Sequence, residues 1–106
     1  MAVTFNAKST ANSTQNGVTT HDHTTMTVGS GSQRALVAIL LLSGNASGNP
    51  SATWDQGGTN QAMTLVSSRT TNGSNIYIFG LVNPTSGNKT LRFTWTTSRD
   101  CYACAL

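Results

Sequence analysis

The run Ala35-Leu-Val-Ala-Ile-Leu-Leu-Leu42 constrains this chain more than any other stretch, because no other block is as long and as apolar. In extended form Ala35, Val37, Ile39 and Leu41 lie on one side and Leu36, Ala38, Leu40 and Leu42 on the other. Both sides are apolar, the pattern of a strand with no solvent face. Leu and Ala also favour helices. The block, however, is bounded by Gly31-Ser32 and Ser43-Gly44-Asn45, and its length is that of a strand. It falls far short of the ~20 residues of a membrane-spanning helix.

The remainder reads as cover for this strand. Thr, Ser, Asn and Gly make up nearly half of the 106 residues; Thr suits half-exposed strands and the other three suit turns. Val3, Phe5 and Ala7 alternate with polar residues as a first strand, residues 9–20 read as a polar loop or poorly paired edge, and Thr24 to Val28 reads as a second strand. Residues 43–51 are turn-formers and predict an exposed loop. Ala52 to Trp54 is a short strand closed by Asp55-Gln-Gly-Gly58, and Met63 to Val66 is the next. Asn72-Gly73 signals a hairpin. In the strand that follows, Asn75 to Val82, Ile76, Ile78 and Val82 face one way and Tyr77, Phe79 and Leu81 the other. Lys89 to Thr97 alternates with Leu91, Phe93 and Trp95 inward, and residues 101–106 form a last strand. These features predict one all-β domain over residues 1–106, an antiparallel β-sandwich, jelly-roll-like, of about eight short strands.

Charge excludes several functions. The six basic residues are scattered with no two adjacent, so no cluster neutralises phosphates and no nucleic-acid partner is expected. Glu is absent, and the three Asp (22, 55 and 100) fall in different segments. A glycosidase needs two carboxylates about one bond, and neither a nucleophile elbow nor a phosphate-binding loop occurs. The expectation is a protein that is not an enzyme and carries no cofactor. No signal peptide is visible at Met1-Ala-Val-Thr-Phe, which leads to a virion or extracellular-surface location, reached inside an assembled particle or after loss of a leader.

Three constellations are candidates for a site. His21 and His23 point to the same side of an extended chain and could share a metal; the competing reading is a solvated polar edge, since a metal needs three or more ligands. Cys101 and Cys104 are a single C-x-x-C. On a strand their thiols face opposite sides about 10 Å apart, beyond disulfide reach, so they are expected to be reduced. Trp54 and Tyr102 are candidates for a sugar-stacking platform, against the plainer reading of aromatics as core.

The segments "RALVAILLLS", "ATWDQGGTNQAMTLVSS" and "IYIFGLVNPTSGNKTLRFTW" resemble β-sandwich modules of tailed-phage structural proteins and bacterial surface proteins. The resemblance covers half to two-thirds of the chain and implies an adhesive, decorating or carbohydrate-facing role without implying a catalytic residue. Such modules usually continue past the strand that "CYACAL" resembles.

Two strands apolar on both faces exceed what a two-layer body of this size can hide, so the surplus needs a partner. Leu36, Leu40, Leu42, Tyr77, Phe79, Leu81 and Leu106 are the expected assembly surface. The expected function is that of a self-associating structural protein, a phage virion component such as a capsid-decorating or tail-associated protein, in contact with its own copies or other virion proteins. The alternative is a carbohydrate-binding or adhesin module of a larger secreted bacterial protein, with surface glycans as partners. A small metal-dependent enzyme built on the two His and two Cys is a third reading.

Overall fold

The computed structural model describes residues 7–9, 11, 13–44 and 49–106. Among them there is no helix. Nine strands appear in order: β1 (Ser13–His23), β2 (Thr27–Val28), β3 (Ala35–Ser43), β4 (Ser51–Trp54), β5 (Gln61–Ala62), β6 (Thr64–Thr70), β7 (Ser74–Val82), β8 (Gly87–Asn88) and β9 (Leu91–Ala105). Every pairing is antiparallel. The chain is thus all-β and antiparallel, as expected.

β9 is the strand on which the main sheet is assembled. Along one edge it carries β1, from Ser13↔Ala103 to His23↔Leu91. Its other edge is shared: Leu91–Thr94 pair with β4, and Cys101–Ala105 pair with β3. β3 continues the sheet through β7 to β6, while β4 continues it to β5. β5 and β6 are separated only by Met63, whose N–H donates to the Ala52 carbonyl at 2.9 Å. One stretch of chain therefore edges both ends of the sheet, which is nearly closed in the manner of a barrel. The second sheet is the small β2–β8 pair.

A strand rises about 3.3 Å per residue, so a straight β1 would hold Ser13 and His21 about 26 Å apart. Their side chains touch instead at 2.7 Å. The β1–β9 ribbon is doubled over, and its register breaks at Gln15/Val18 and Val18/Thr20 mark where; bulges of this kind bend and twist a ribbon. Gly17, at φ +63°, supplies the left-handed backbone at that bend. Folding the ribbon curls the sheet on itself, and Phe79 of β7 meets Phe93 of β9 with ring centroids 6.0 Å apart.

The core lies inside the curled sheet. β3 contributes Leu36, Ala38, Leu40 and Leu42, β7 contributes Tyr77 and Phe79, and β9 contributes Leu91, Phe93, Trp95 and Ala103, all buried. Trp54 closes one end, fully buried, with its indole N–H donating to the Thr85 carbonyl at 2.9 Å. The turn after it is fastened by Asp55, whose Oδ2 accepts from the backbone N–H and hydroxyl of Thr59 and from the Thr85 hydroxyl.

Several segment boundaries differ from expectation. Ser13 to Thr20, read as a polar loop or a poorly paired edge, is strand with two breaks in its register; its pairing with β9 supplies what its composition does not. Only Thr27 and Val28 of the expected second strand are extended and paired. The two expected final strands are one strand of 15 residues. The expected first strand lies outside the described residues except for Ala7 and Lys8, and so do residues 45–48 of the expected loop.

Candidate functional site

The sheet formed by β9, β3, β7 and β6 has an inside and an outside, and the outside is apolar. Antiparallel register stacks its side chains in rows. Leu41 lies between Ile76 and Tyr102, and Ile39 between Ile78 and Cys104. Val37 lies opposite Gly80 and exchanges both backbone hydrogen bonds with Leu106 at 2.8 and 3.0 Å. Beyond β7 the rows continue to Arg69, Ser67 and Thr64 of β6. Arg69 is the single charged member of these rows. Leu41 is 36% exposed, Tyr102 38%, Leu106 43%, Val66 67% and Val82 75%. At one end, where Gly80 has no side chain, an open depression of about 490 Å³ lies among Val37, Val66, Leu81 and Val82. A Cβ on Gly80 would approach Val66 Cγ2 to 3.1 Å, closer than ordinary contact, so the exposed Val66 side chain would have to shift slightly to admit one.

This corrects the expected assembly surface. Leu36, Leu40, Leu42, Tyr77 and Phe79 are at most 4% exposed and fill the chain's own core. They cannot meet a partner while the fold is intact. Leu81 is partly buried against that core, and Leu106 alone of the seven is exposed. Excess apolar surface does exist on β3 and β7, but on the opposite side of each strand, at Val37, Ile39, Leu41, Ile76, Ile78 and Val82. The expected sugar platform is corrected as well. Trp54 is wholly buried, with its N–H satisfied internally, while Tyr102 stands on the outer face.

A second constellation lies inside the bend of the ribbon. His21 and His23 both turn inward and are buried. Ser13 Oγ stands 2.7 Å from His21 Nε2 and 2.6 Å from His23 Nδ1. The other nitrogen of each ring is also engaged: His21 Nδ1 with Gln15 Oε1 at 3.1 Å, and His23 Nε2 with Thr25 Oγ1 at 3.2 Å. Thr25 in turn donates its hydroxyl proton to the Ala11 carbonyl at 2.6 Å. Burial lowers the pKa of both imidazoles, against the opposing pull of Asp22 on His21. Asp22, between them in sequence, faces outward in a bidentate pair with Arg92 at 2.7 and 2.8 Å. That hydrogen bond holds its carboxyl below the usual range.

Sequence reasoning found the two histidines and missed Ser13, Gln15 and Thr25. The missed signal is a period of two: Ser13-x-Gln15 and His21-x-His23-x-Thr25 mark polar side chains on one side of a strand. Cys101 and Cys104 do not join the histidines. Both are free thiols, Cys101 on the inner face and Cys104 on the outer, and burial pushes each thiol's pKa up. Among the described residues no three His, Cys, Asp or Glu side chains gather about a point, so the Cys2His2 arrangement behind the small-enzyme reading is not formed.

No family model, no curated protein and no solved structure matches this chain.

Proposed function

We propose that the chain is a non-enzymatic structural subunit that associates with further copies of itself through the outer face of β9, β3, β7 and β6. The observation that carries this reading is the alternation on β3: the even residues complete the core, and the odd residues form an apolar face rimmed by exposed Val66, Val82, Tyr102 and Leu106. Contiguous apolar faces of this kind on soluble domains mark interaction sites. A nearly uncharged face is self-complementary, as a two-fold contact between identical patches requires.

Its size says how firmly one pair would hold. Four strands spaced ~4.8 Å apart, over the seven residues from Ala35 to Leu41, give a footprint of roughly 400 Å². Two such faces bury less than the ~1,200 Å² at the lower end of stable interfaces. A single pairing is therefore weak, and the contact becomes durable where many copies are held side by side. A particle coat provides that setting, in keeping with the resemblance to phage structural modules; in it the curled sheet serves as a two-layer, jelly-roll-like body with one layer's outside given to a neighbour. The carbohydrate-binding alternative has lost Trp54 to the core and keeps Tyr102 on the outer face.

Sedimentation velocity over a wide concentration range tests the proposal. The wild-type chain should show reversible association. Leu41→Asp and Val82→Asp, both at exposed positions, should sediment as monomers with unchanged circular dichroism. A wild-type chain that stays monomeric at the highest attainable concentration refutes the reading.

A further inference from the structure

Proton counting at the buried histidines leaves a surplus lone pair. Thr25 has donated its proton to Ala11, so His23 Nε2 must carry the proton that Thr25 Oγ1 accepts, and His23 Nδ1 is left as a lone pair. Gln15 presents Oε1, an acceptor, so His21 Nδ1 carries a proton and His21 Nε2 is the second lone pair. Both lone pairs converge on Ser13 Oγ, at 2.6 and 2.7 Å. Ser13 has one hydroxyl proton and can satisfy one of them. The other is a buried acceptor aimed at an occupied position, an arrangement native interiors avoid.

We propose that Ser13, His21 and His23 form a binding site for a divalent late first-row transition metal, zinc or its neighbours, with His21 Nε2 and His23 Nδ1 as nitrogen ligands and Ser13 Oγ as the third donor. Imidazole nitrogens are the ligands such ions prefer. They bind only as neutral rings, and burial lowers the pKa of both imidazoles, which favours that form. Each ring is fixed by a separate partner on its far nitrogen, Gln15 for one and Thr25 for the other. This is the outer-shell arrangement that orients metal-binding histidines and sets their tautomers. Ser13 turns its hydroxyl proton away and offers an oxygen lone pair in its place. With no third His, Cys, Asp or Glu at hand among the described residues, the remaining position is left to water, as in three-ligand sites. The ion would also fasten the two ends of β1 across the bend, since Ser13 and His21 lie on opposite arms of the doubled ribbon.

The test uses the untagged full chain titrated with Co²⁺, whose visible absorption reports coordination, followed by displacement with Zn²⁺ and calorimetry. Saturation at one equivalent, with NMR shifts centred on the rings of His21 and His23, is the expected result. Ser13→Cys replaces a neutral hydroxyl with a thiolate donor; it should tighten binding at least tenfold and add a sulfur-to-cobalt charge-transfer band. Gln15→Leu should weaken binding about 10- to 100-fold by releasing His21. Ser13→Cys and Gln15→Leu leave both histidines in place, so a failure to fold at the fully buried His23 does not cloud the outcome. Absence of one-equivalent binding in the wild-type chain, or Co²⁺ affinity and spectrum unchanged in Ser13→Cys, overturns the proposal.

Discussion

Truncating adjacent leucines on β3 separates the two faces of the central sheet. Leu40 has no exposed surface and Leu41 is 36% exposed, although the two are neighbours with the same side chain. Leu40→Ala opens a cavity inside the curled sheet, and buried Leu→Ala changes cost about 2.7–5 kcal/mol. That is at least about a fifth of the ~5–15 kcal/mol that keeps a domain folded, and it should lower the melting temperature by roughly 10 °C or more. Leu41→Ala removes three carbons from a side chain resting on Ile76 and Tyr102 but open above. At ~0.8 kcal/mol per fully buried methylene, and with burial incomplete, the loss should be about 1 kcal/mol. Urea unfolding followed by the fluorescence of buried Trp54 and Trp95 measures both, at a protein concentration low enough to keep copies apart. The midpoints should differ by at least ~1 kcal/mol in free energy with m unchanged. Raising the concentration should then reverse the order of interest: Leu41→Ala weakens association, while the folded fraction of Leu40→Ala associates as wild type. Equal losses at low concentration, or a larger loss for Leu41→Ala, would show that the inner and outer faces have been assigned the wrong way round.

Other tests reach the rest of the fold. A Cβ on Gly58 would overlap Asp55 Oδ1, so Gly58→Ala must displace the carboxylate from Thr59 and Thr85; the unfolding free energy from urea denaturation should fall by ~1–3 kcal/mol. The carboxyls of Asp22 and Asp55 are held below their ordinary values in the folded chain. Their stabilisation is therefore present above the unfolded value of ~3.9 and lost as pH falls through the folded values, so the urea midpoint should decline below about pH 4. Asp22→Asn should flatten part of that decline and cost under ~1 kcal/mol at pH 7, because both partners of its ion pair are more than a third exposed. Finally, with one thiol on each face, non-reducing and reducing electrophoresis of freshly purified protein should give the same monomer mobility.

How far the fold could be read beforehand is clearest on β3. Its length, its bounds and its two apolar sides were plain in the residues themselves. Which side faces the core was not, because a period of two is blind to sides when both are apolar. The choice is made by Tyr77, Phe79 and Ala103 on the neighbouring strands, whose register no local pattern reveals. β1 shows the opposite limit. Its first eight residues, Ser-Thr-Gln-Asn-Gly-Val-Thr-Thr, have little strand signal of their own and are held extended by β9, some eighty residues later in the chain. For the same reason the histidine pair was visible and its companions were not: Ser13 meets His21 and His23 only because the ribbon folds over. Trp54 stood between a sugar platform and the core in the sequence, and the core reading holds; nothing in the sequence says that Thr85 will supply its indole with an acceptor.

The placement of β9 has a consequence for how such a chain acquires its shape. β9 follows β1, β3 and β4 in the chain, yet all three must attach to it, so until it is made β1 has no partner in the main sheet and β3 and β4 have only β7 and β5. Local hairpins such as β6–β7 can form beforehand, but closure waits on contacts spanning most of the chain, which places folding among the slower, milliseconds-to-seconds topologies. Until then the oily sides of β3 and β7 stand uncovered together, and the polypeptide is at its most adhesive in the interval before β9 joins them.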